Sequence, residues 1–267
     1  MKELIKQALD SGILLSPRIL RHERLRELIQ AARESGEFYL DITQSKLEII
    51  KPKKPESVKA SEIIDFYQQL YRELALILSK KVQAVSINKI SGECWIIGMV
   101  REKTENGFLL EDLTGQIEVI SRVLPEEDDV VAVRGYGREG RFFAKEILWP
   151  DIPLDHKPSK AGIKAVFKPD EIILGERKIK PEAPLLVKIN GFRILVIESQ
   201  DPVRVLKRRH FFERGSSPDS FYLLKEIPDI LYVPEERQGF ELYKGVLILH
   251  GKWKCDLATL TPTPLEL

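Results

Sequence analysis

Between residues 92 and 153 apolar and polar positions alternate in short runs, broken by turn signals at Glu105-Asn106-Gly107, Leu113-Thr114-Gly115 and Glu139-Gly140-Arg141. Alternation with a period of two, bounded by turns of this kind, predicts half-buried strands. Five follow: Trp95–Arg101, Gly107–Glu111, Gln116–Ile120, Val130–Gly137 and Arg141–Ile147. Just upstream the period changes. Over Ala60–Lys81, Ile63, Ile64, Phe66, Tyr67, Leu70, Tyr71, Leu74, Ile77 and Leu78 form a wide apolar stripe at helical spacing, which predicts an amphipathic helix packed on the strands.

The strand order and spacing suggest a five-stranded OB-fold barrel, so residues 60–154 read as one helix-plus-barrel domain. Before it lies a linker over 52–59, within a Lys-Pro-Lys-Lys-Pro-Glu-Ser run whose prolines oppose a helix. Residues 1–51 predict two short helices and a strand region. Leu4, Ile5, Ala8 and Leu9 share one face, and Ser11-Gly12 ends the first helix. Ser16 caps a second helix with Pro17 at its first position, and Ile19, Leu20, Leu25, Leu28 and Ile29 form its buried side. Phe38–Ile50 completes a winged-helix-like unit whose basic face would be Arg18, Arg21, Arg24 and Arg26, read either as a DNA contact or as a solvated surface.

Beyond the proline-rich exit after Trp149, the pattern is strand-like at Ala165–Phe167, Glu171–Leu174, Leu185–Ile189, Arg193–Ile197, Ile230–Val233 and Tyr243–His250. Asn190-Gly191 is a strong hairpin signal. Pro202–Arg209 predicts one short helix. The chain as a whole therefore reads as multi-domain α+β, with residues 155–267 β-rich.

Composition narrows the chemistry. A formal net charge of +1 leaves no global basic field for nucleic acid, so any such surface is a local patch. Two cysteines, Cys94 and Cys255, suit neither a disulfide framework nor a zinc site and point to a reducing, cytoplasmic setting. No apolar run is long enough to span a bilayer, so no membrane partner is expected. Abundant Glu, Lys and Arg beside few Cys, Met and His are compatible with a thermophile. His22, His156 and His250 share no ligand spacing, and there is no P-loop, Gly-x-Ser-x-Gly or nucleophilic cysteine context.

Several segments together carry a family resemblance: Asp65-Phe66-Tyr67, Val85-Ser-Ile-Asn-Lys-Ile, Ile97-Gly-Met-Val-Arg-Glu-Lys, Leu113-Thr-Gly, Val133-Arg-Gly, Phe143-Ala-Lys-Glu-Ile-Leu and Trp149-Pro-Asp-Ile-Pro. After a gap come Leu206-Lys-Arg-Arg-His, Glu226-Ile-Pro-Asp-Ile-Leu, Tyr243-Lys-Gly-Val-Leu-Ile-Leu and Pro262-Thr-Pro. The chain resembles the small subunits of archaeal D-family replicative DNA polymerases, relatives of the eukaryotic B-subunits. The resemblance implies that residues 155–267 are a shortened remnant of a calcineurin-like phosphoesterase domain. That domain binds two metal ions through Asp-x-His, Gly-Asn-His-Asp, a later histidine and Gly-His-x-His. None of these occurs here: Glu198 stands where the later histidine belongs, and Pro234-Glu-Glu-Arg replaces the last motif.

The chain is therefore expected to lack catalysis, metal and cofactor, and to act as an accessory subunit that binds a DNA polymerase catalytic subunit. Arg204, Lys207, Arg208, Arg209 and His210 are the candidate partner-binding residues. A stand-alone single-stranded nucleic-acid-binding barrel is the alternative, and single-stranded or primer-template DNA a further candidate partner. Arg101, Lys103, Arg134, Arg138 and Arg141 would then be the cations, with Trp95, Phe108, Tyr136, Phe142 and Phe143 as aromatic platforms. Glu102, Glu105, Glu111, Asp112 and Glu126–Asp129 interrupt that basic stripe.

Overall fold

A computed structural model describes residues 2–15, 20, 25–35, 39–40, 47–53, 57–214 and 216–265. The chain divides into two compact units, Met1–Glu48 with Lys188–Asn190, and Ile49–Val187 with Gly191–Leu267.

In the first unit, helix α1 (Lys2–Asp10) and strand β1 (Leu14–Leu15) precede helix α2 (Leu25–Ser35) and strand β2 (Tyr39–Leu40). Ala8, Ile13, Leu25, Ile29 and Ala32 form its core. Leu9, expected on the buried face, is exposed, because the chain turns at Ser11-Gly12 and Ile13 takes the inward place. β1 and β2 pair in parallel. Ser16, Pro17, Arg18, Arg21 and Arg24 lie outside the described residues, and Arg26 is exposed on α2. Phe38–Ile50 resolves into β2 and strand β3 (Leu47–Ile50), with residues 41–46 outside the described residues.

In the second unit, helix α3 (Ala60–Ser79) opens with Glu62 accepting the Lys59 N–H at 2.9 Å, half of a capping box. Phe66, Leu70, Leu74 and Leu78, spaced by four, are its buried line and meet Ile97, Met99, Val130 and Ala132 of the barrel. Ile63 and Ile64, assigned to the stripe by spacing, are exposed; they lie on the first turns, off that four-residue line. Each fully buried apolar side chain here contributes roughly 1.5–3 kcal/mol.

The barrel follows: β4 (Ala84–Val85), β5 (Glu93–Thr104), β6 (Gly107–Glu111), β7 (Gln116–Ile120), β8 (Val130–Arg138) and β9 (Arg141–Leu148). All five expected strands are present. The sheet runs β4-β5-β6-β7-β9-β8, and an additional β5–β8 pairing closes it. Closure depends on the length of β5, which pairs with β8 over Glu93–Met99 and with β6 from Met99 to Thr104. A bulge between Val100 and Glu102 lets the strand turn from one partner to the other. Inside are Ile96, Val100, Phe108, Leu110, Val119, Val131, Val133 and Phe142. Gly107 is obligatory here, since a Cβ would sit 1.8 Å from the Val119 carbonyl oxygen.

The remaining strands form two facing sheets. One comprises β10 (Lys164–Phe167), β11 (Ile172–Leu174), β12 (Arg177–Ile179), β18 (Trp253–Asp256) and β19 (Thr261–Pro264), in the order β12-β11-β10-β18-β19. The other includes β13 (Leu185–Ile189), β14 (Phe192–Val196), β15 (Ile230–Val233), β16 (Gly239–Tyr243) and β17 (Val246–His250), in the order β16-β17-β15-β14-β13. Phe167 of the first sheet meets Tyr232 of the second with ring centroids 5.0 Å apart. The opposite face of the second sheet is covered by helix α4 (Pro202–Arg208), which crosses from β14 to the parallel β15.

Tyr243–His250 is two strands rather than one. Lys244 and Gly245, with φ of 47° and 86°, form a two-residue turn that the apolar run conceals. Asn190-Gly191, by contrast, has the two positive φ values that its sequence predicts. The strands Arg177–Ile179 and Trp253–Asp256 carry too few alternations to stand out from loops. No described helix is long and apolar enough to cross a membrane.

Candidate partner-binding surface

Between β7 and β8 the barrel carries four consecutive carboxylates, Glu126, Glu127, Asp128 and Asp129. Opposite them stand the cations of α4 and of the chain after it. Arg204 and Arg208 are four residues apart and so share one face of α4. Asp201 starts that helix, accepting the Arg204 N–H at 2.9 Å.

The two sets interlock. Arg204 lies 3.3 Å from Glu126, and Arg208 forms an ion pair with the buried Asp129. Trp149 donates its indole N–H to Asp129 Oδ2 at 2.9 Å. Burial pushes the Asp129 carboxyl up from its ordinary value, and the nearby Arg208 guanidinium works against that rise. Arg214 binds Asp128 through Nε (3.0 Å) and Nη2 (3.2 Å), and its Nη1 lies 2.6 Å from Glu127. Tyr67 of α3 also donates to Asp128, at 3.4 Å.

The other expected partner-binding residues divide by burial. Lys207 is half-buried, its ammonium 4.1 Å above the Trp149 ring. Arg209 is buried, ends α4 in the left-handed region and donates to the Lys225 carbonyl at 3.2 Å. His210 is fully buried, its ring close to the Asp128 backbone. Burial, with Arg208 and Arg204 nearby, holds its pKa well below the usual imidazole value. Arg204, Arg208 and Arg214 border a cleft of about 630 Å³, together with Glu198, Asp201 and Phe211. Lys207 and Trp149 line a smaller groove of about 310 Å³ with Leu124 and Val203.

On the barrel every expected nucleic-acid cation has an acidic neighbour. Arg101 pairs with Glu111 (2.6 Å), Lys103 with Glu126 (2.5 Å) and Arg141 with Glu118 (2.8 Å). Arg138 pairs with Glu139 at 3.1 Å, and Arg134 with Glu93 at 2.9 Å. Phe108 and Phe142 are buried in the barrel core, and Trp95 packs towards α3. Tyr136 alone among the expected platforms is exposed, stacked on Phe143 at 5.4 Å with the Lys145 ammonium 5.8 Å from its ring.

The donor set implied by the resemblance to two-metal phosphoesterases does not fit. Glu198 is exposed just beyond β14. Glu235 lies beyond β15, its Oε1 2.6 Å from His250 Nδ1. No three His, Cys, Asp or Glu side chains converge on one point among the described residues.

What the sequence reading missed is that the acidic run and the α4 cations face each other. The signal was present as four adjacent carboxylates and an i, i+4 arginine pair of opposite sign, but nothing local brings segments some eighty residues apart together.

No family model matches the chain. It is 27% identical over 131 residues to the DNA polymerase II small subunit of Archaeoglobus fulgidus, an alignment that covers 43% of this chain and 27% of that protein. The chain thus spans about a quarter of the length of the curated relative it matches.

Proposed function

We propose that this chain is a non-catalytic accessory subunit of a replicative DNA polymerase that holds the catalytic subunit. In this reading the closed barrel is an OB-fold and the paired sheets are a shortened phosphoesterase-like domain without its metals. Residues 1–51, 60–154 and 155–267 would be its domains, joined over 52–59. The observation that carries the reading is the similarity to the archaeal polymerase small subunit. The barrel supports it: a closed five-strand ring with neighbours β5-β6-β7-β9-β8 and a single parallel pair, β7–β9, agrees with the OB reading. The half-buried Arg204, Lys207 and Arg208 are the proposed contacts for an acidic partner segment. Affinity purification of the chain from its native source tests the reading. A polymerase catalytic polypeptide is expected among the bound proteins, and its absence would sink the proposal.

A second reading rests on the exposed Tyr136–Phe143 stack beside Lys145, a platform on which a base of single-stranded nucleic acid would stack. It requires micromolar or tighter binding to an oligonucleotide with a clear salt slope. Binding weaker than micromolar, or insensitive to salt, in fluorescence anisotropy rejects it.

A further inference from the structure

Strands at the margin of a sheet present unpaired backbone groups, and folds guard such edges with proline or charge. β19 is guarded by Pro262 and Pro264, and β12 by the exposed Arg177 and Lys178. β16, at the margin of the other sheet, has a single charge, Glu241, between Phe240 and Leu242. These two apolar side chains are 58% and 69% exposed.

The backbone of the same two residues is also unspent. The turn at Lys244-Gly245 makes Tyr243 and Val246 the closing pair of the hairpin. In a two-residue hairpin the closing pair is hydrogen-bonded, and bonded pairs then alternate along the ladder. Gly239 and Glu241 therefore bond to β17, while the N–H and C=O groups of Phe240 and Leu242 point away from the sheet. Phe240 meets Trp253 edge-on at 5.2 Å, so the exposed apolar face continues the core between the two sheets. An added strand would extend both the ladder and the core.

Self-pairing is disfavoured. Two β16 strands joined about a central two-fold axis would place Glu241 directly opposite Glu241, like charge against like. A hetero-partner resolves this with a lysine or arginine at that position, where the pair is not hydrogen-bonded and the side chains stand closest.

We propose that β16 is the docking edge for an extended segment of the polymerase catalytic subunit, which adds to the sheet as a further strand. That segment would carry apolar residues alternating along one face, beside Phe240 and Leu242, and a basic residue opposite Glu241. The proposal rests on the accessory-subunit reading.

Hydrogen exchange on the full chain, alone and with the catalytic subunit, tests it. The amides of Phe240 and Leu242 exchange freely in the chain alone and become protected in the complex. Leu242→Pro removes an outward N–H together with the exposed leucine side chain, and Phe240→Asp removes an apolar contact together with the edge-on packing on Trp253; each weakens the complex by about tenfold or more. Unchanged melting of the free variants shows that the fold is intact. If the complex forms but β16 gains no protection and both variants bind like wild type, the docking edge is overturned while the accessory-subunit reading stands. If wild type binds no catalytic subunit, both fall. Concentration-dependent protection of β16 in the chain alone would assign the edge to a second copy instead and overturn the proposal.

Discussion

Arg214 grips Asp128 at two points, Nε to Oδ2 at 3.0 Å and Nη2 to Oδ1 at 3.2 Å. Asp128 belongs to the barrel and is almost wholly buried, while Arg214 follows α4. The fork geometry matters because a planar guanidinium satisfies both carboxylate oxygens at once. Removing it leaves a buried carboxylate with, among the described residues, only the long contact from Tyr67.

Arg214→Ala is therefore expected to lower stability by about 2–3 kcal/mol, read as a drop in the urea midpoint. Arg214→Lys keeps the charge but loses the fork and should fall between wild type and alanine. Equal midpoints for wild type and alanine would show that the pair is only a surface contact.

His210 sets a pH dependence. Its folded pKa lies well below 6.5, for the burial and nearby arginines already described, whereas the unfolded chain protonates it near 6.5. Below that pH the unfolded state binds a proton that the folded state refuses, so stability rises with pH through this range and is lost on acidification. The slope contributed by this residue approaches about 1.4 kcal/mol per pH unit below 6.5. Denaturant midpoints between pH 7.5 and 5 for wild type and His210→Leu provide the check: the variant should show the shallower decline, and identical slopes would refute the assignment.

Gly107→Ala should be among the most damaging single changes in the barrel. The added methyl would press on the Val119 backbone, which cannot swing aside as a side-chain tip can. A loss above about 3 kcal/mol, or failure to fold, is expected from thermal unfolding. Gly140→Ala meets no atom within 4 Å and differs only in its φ of 76°, so a loss of about 1 kcal/mol is expected there.

On the barrel surface Glu93 occupies two cations, Arg134 at 2.9 Å and Lys145 at 2.5 Å. Glu93→Gln should release Lys145 beside the Tyr136–Phe143 stack and leave Arg134 with only its longer contact to Glu146, at 3.7 Å. Anisotropy with a labelled single-stranded oligonucleotide at low salt should then show tighter binding and a salt slope steeper by about one to two. No change in either quantity would remove this face as a nucleic-acid surface.

The barrel was the most legible part of the chain. Its strands have turn residues that admit few alternatives, such as Glu139-Gly140 with φ of 53° and 76°, even though Ile96–Val100 and Val130–Val133 are buried on both faces, because α3 covers the outer one. The sheet containing β18 and β19 was hard to read because Trp253-Lys-Cys-Asp offers only two inward residues. Its pairing with Lys164–Phe167 spans nearly ninety positions. The basic residues of α4 were easy to find and hard to place. Arg208 and Arg209 are adjacent in sequence, yet one reaches the barrel and the other the Lys225 carbonyl. Helical rotation and the end of α4 decide this, and neither is visible in composition.

The ionic seam between barrel and sheets also has a thermal character. Asp128, Asp129, Glu126 and Glu127 meet Arg204, Arg208 and Arg214, and Lys225 reaches Glu73 of α3 at 2.7 Å. The cost of stripping water from such charges falls as temperature rises, while apolar burial gains little further strength per unit area. Heat therefore shifts the work of keeping barrel and sheets aligned from their greasy contacts to this charged joint.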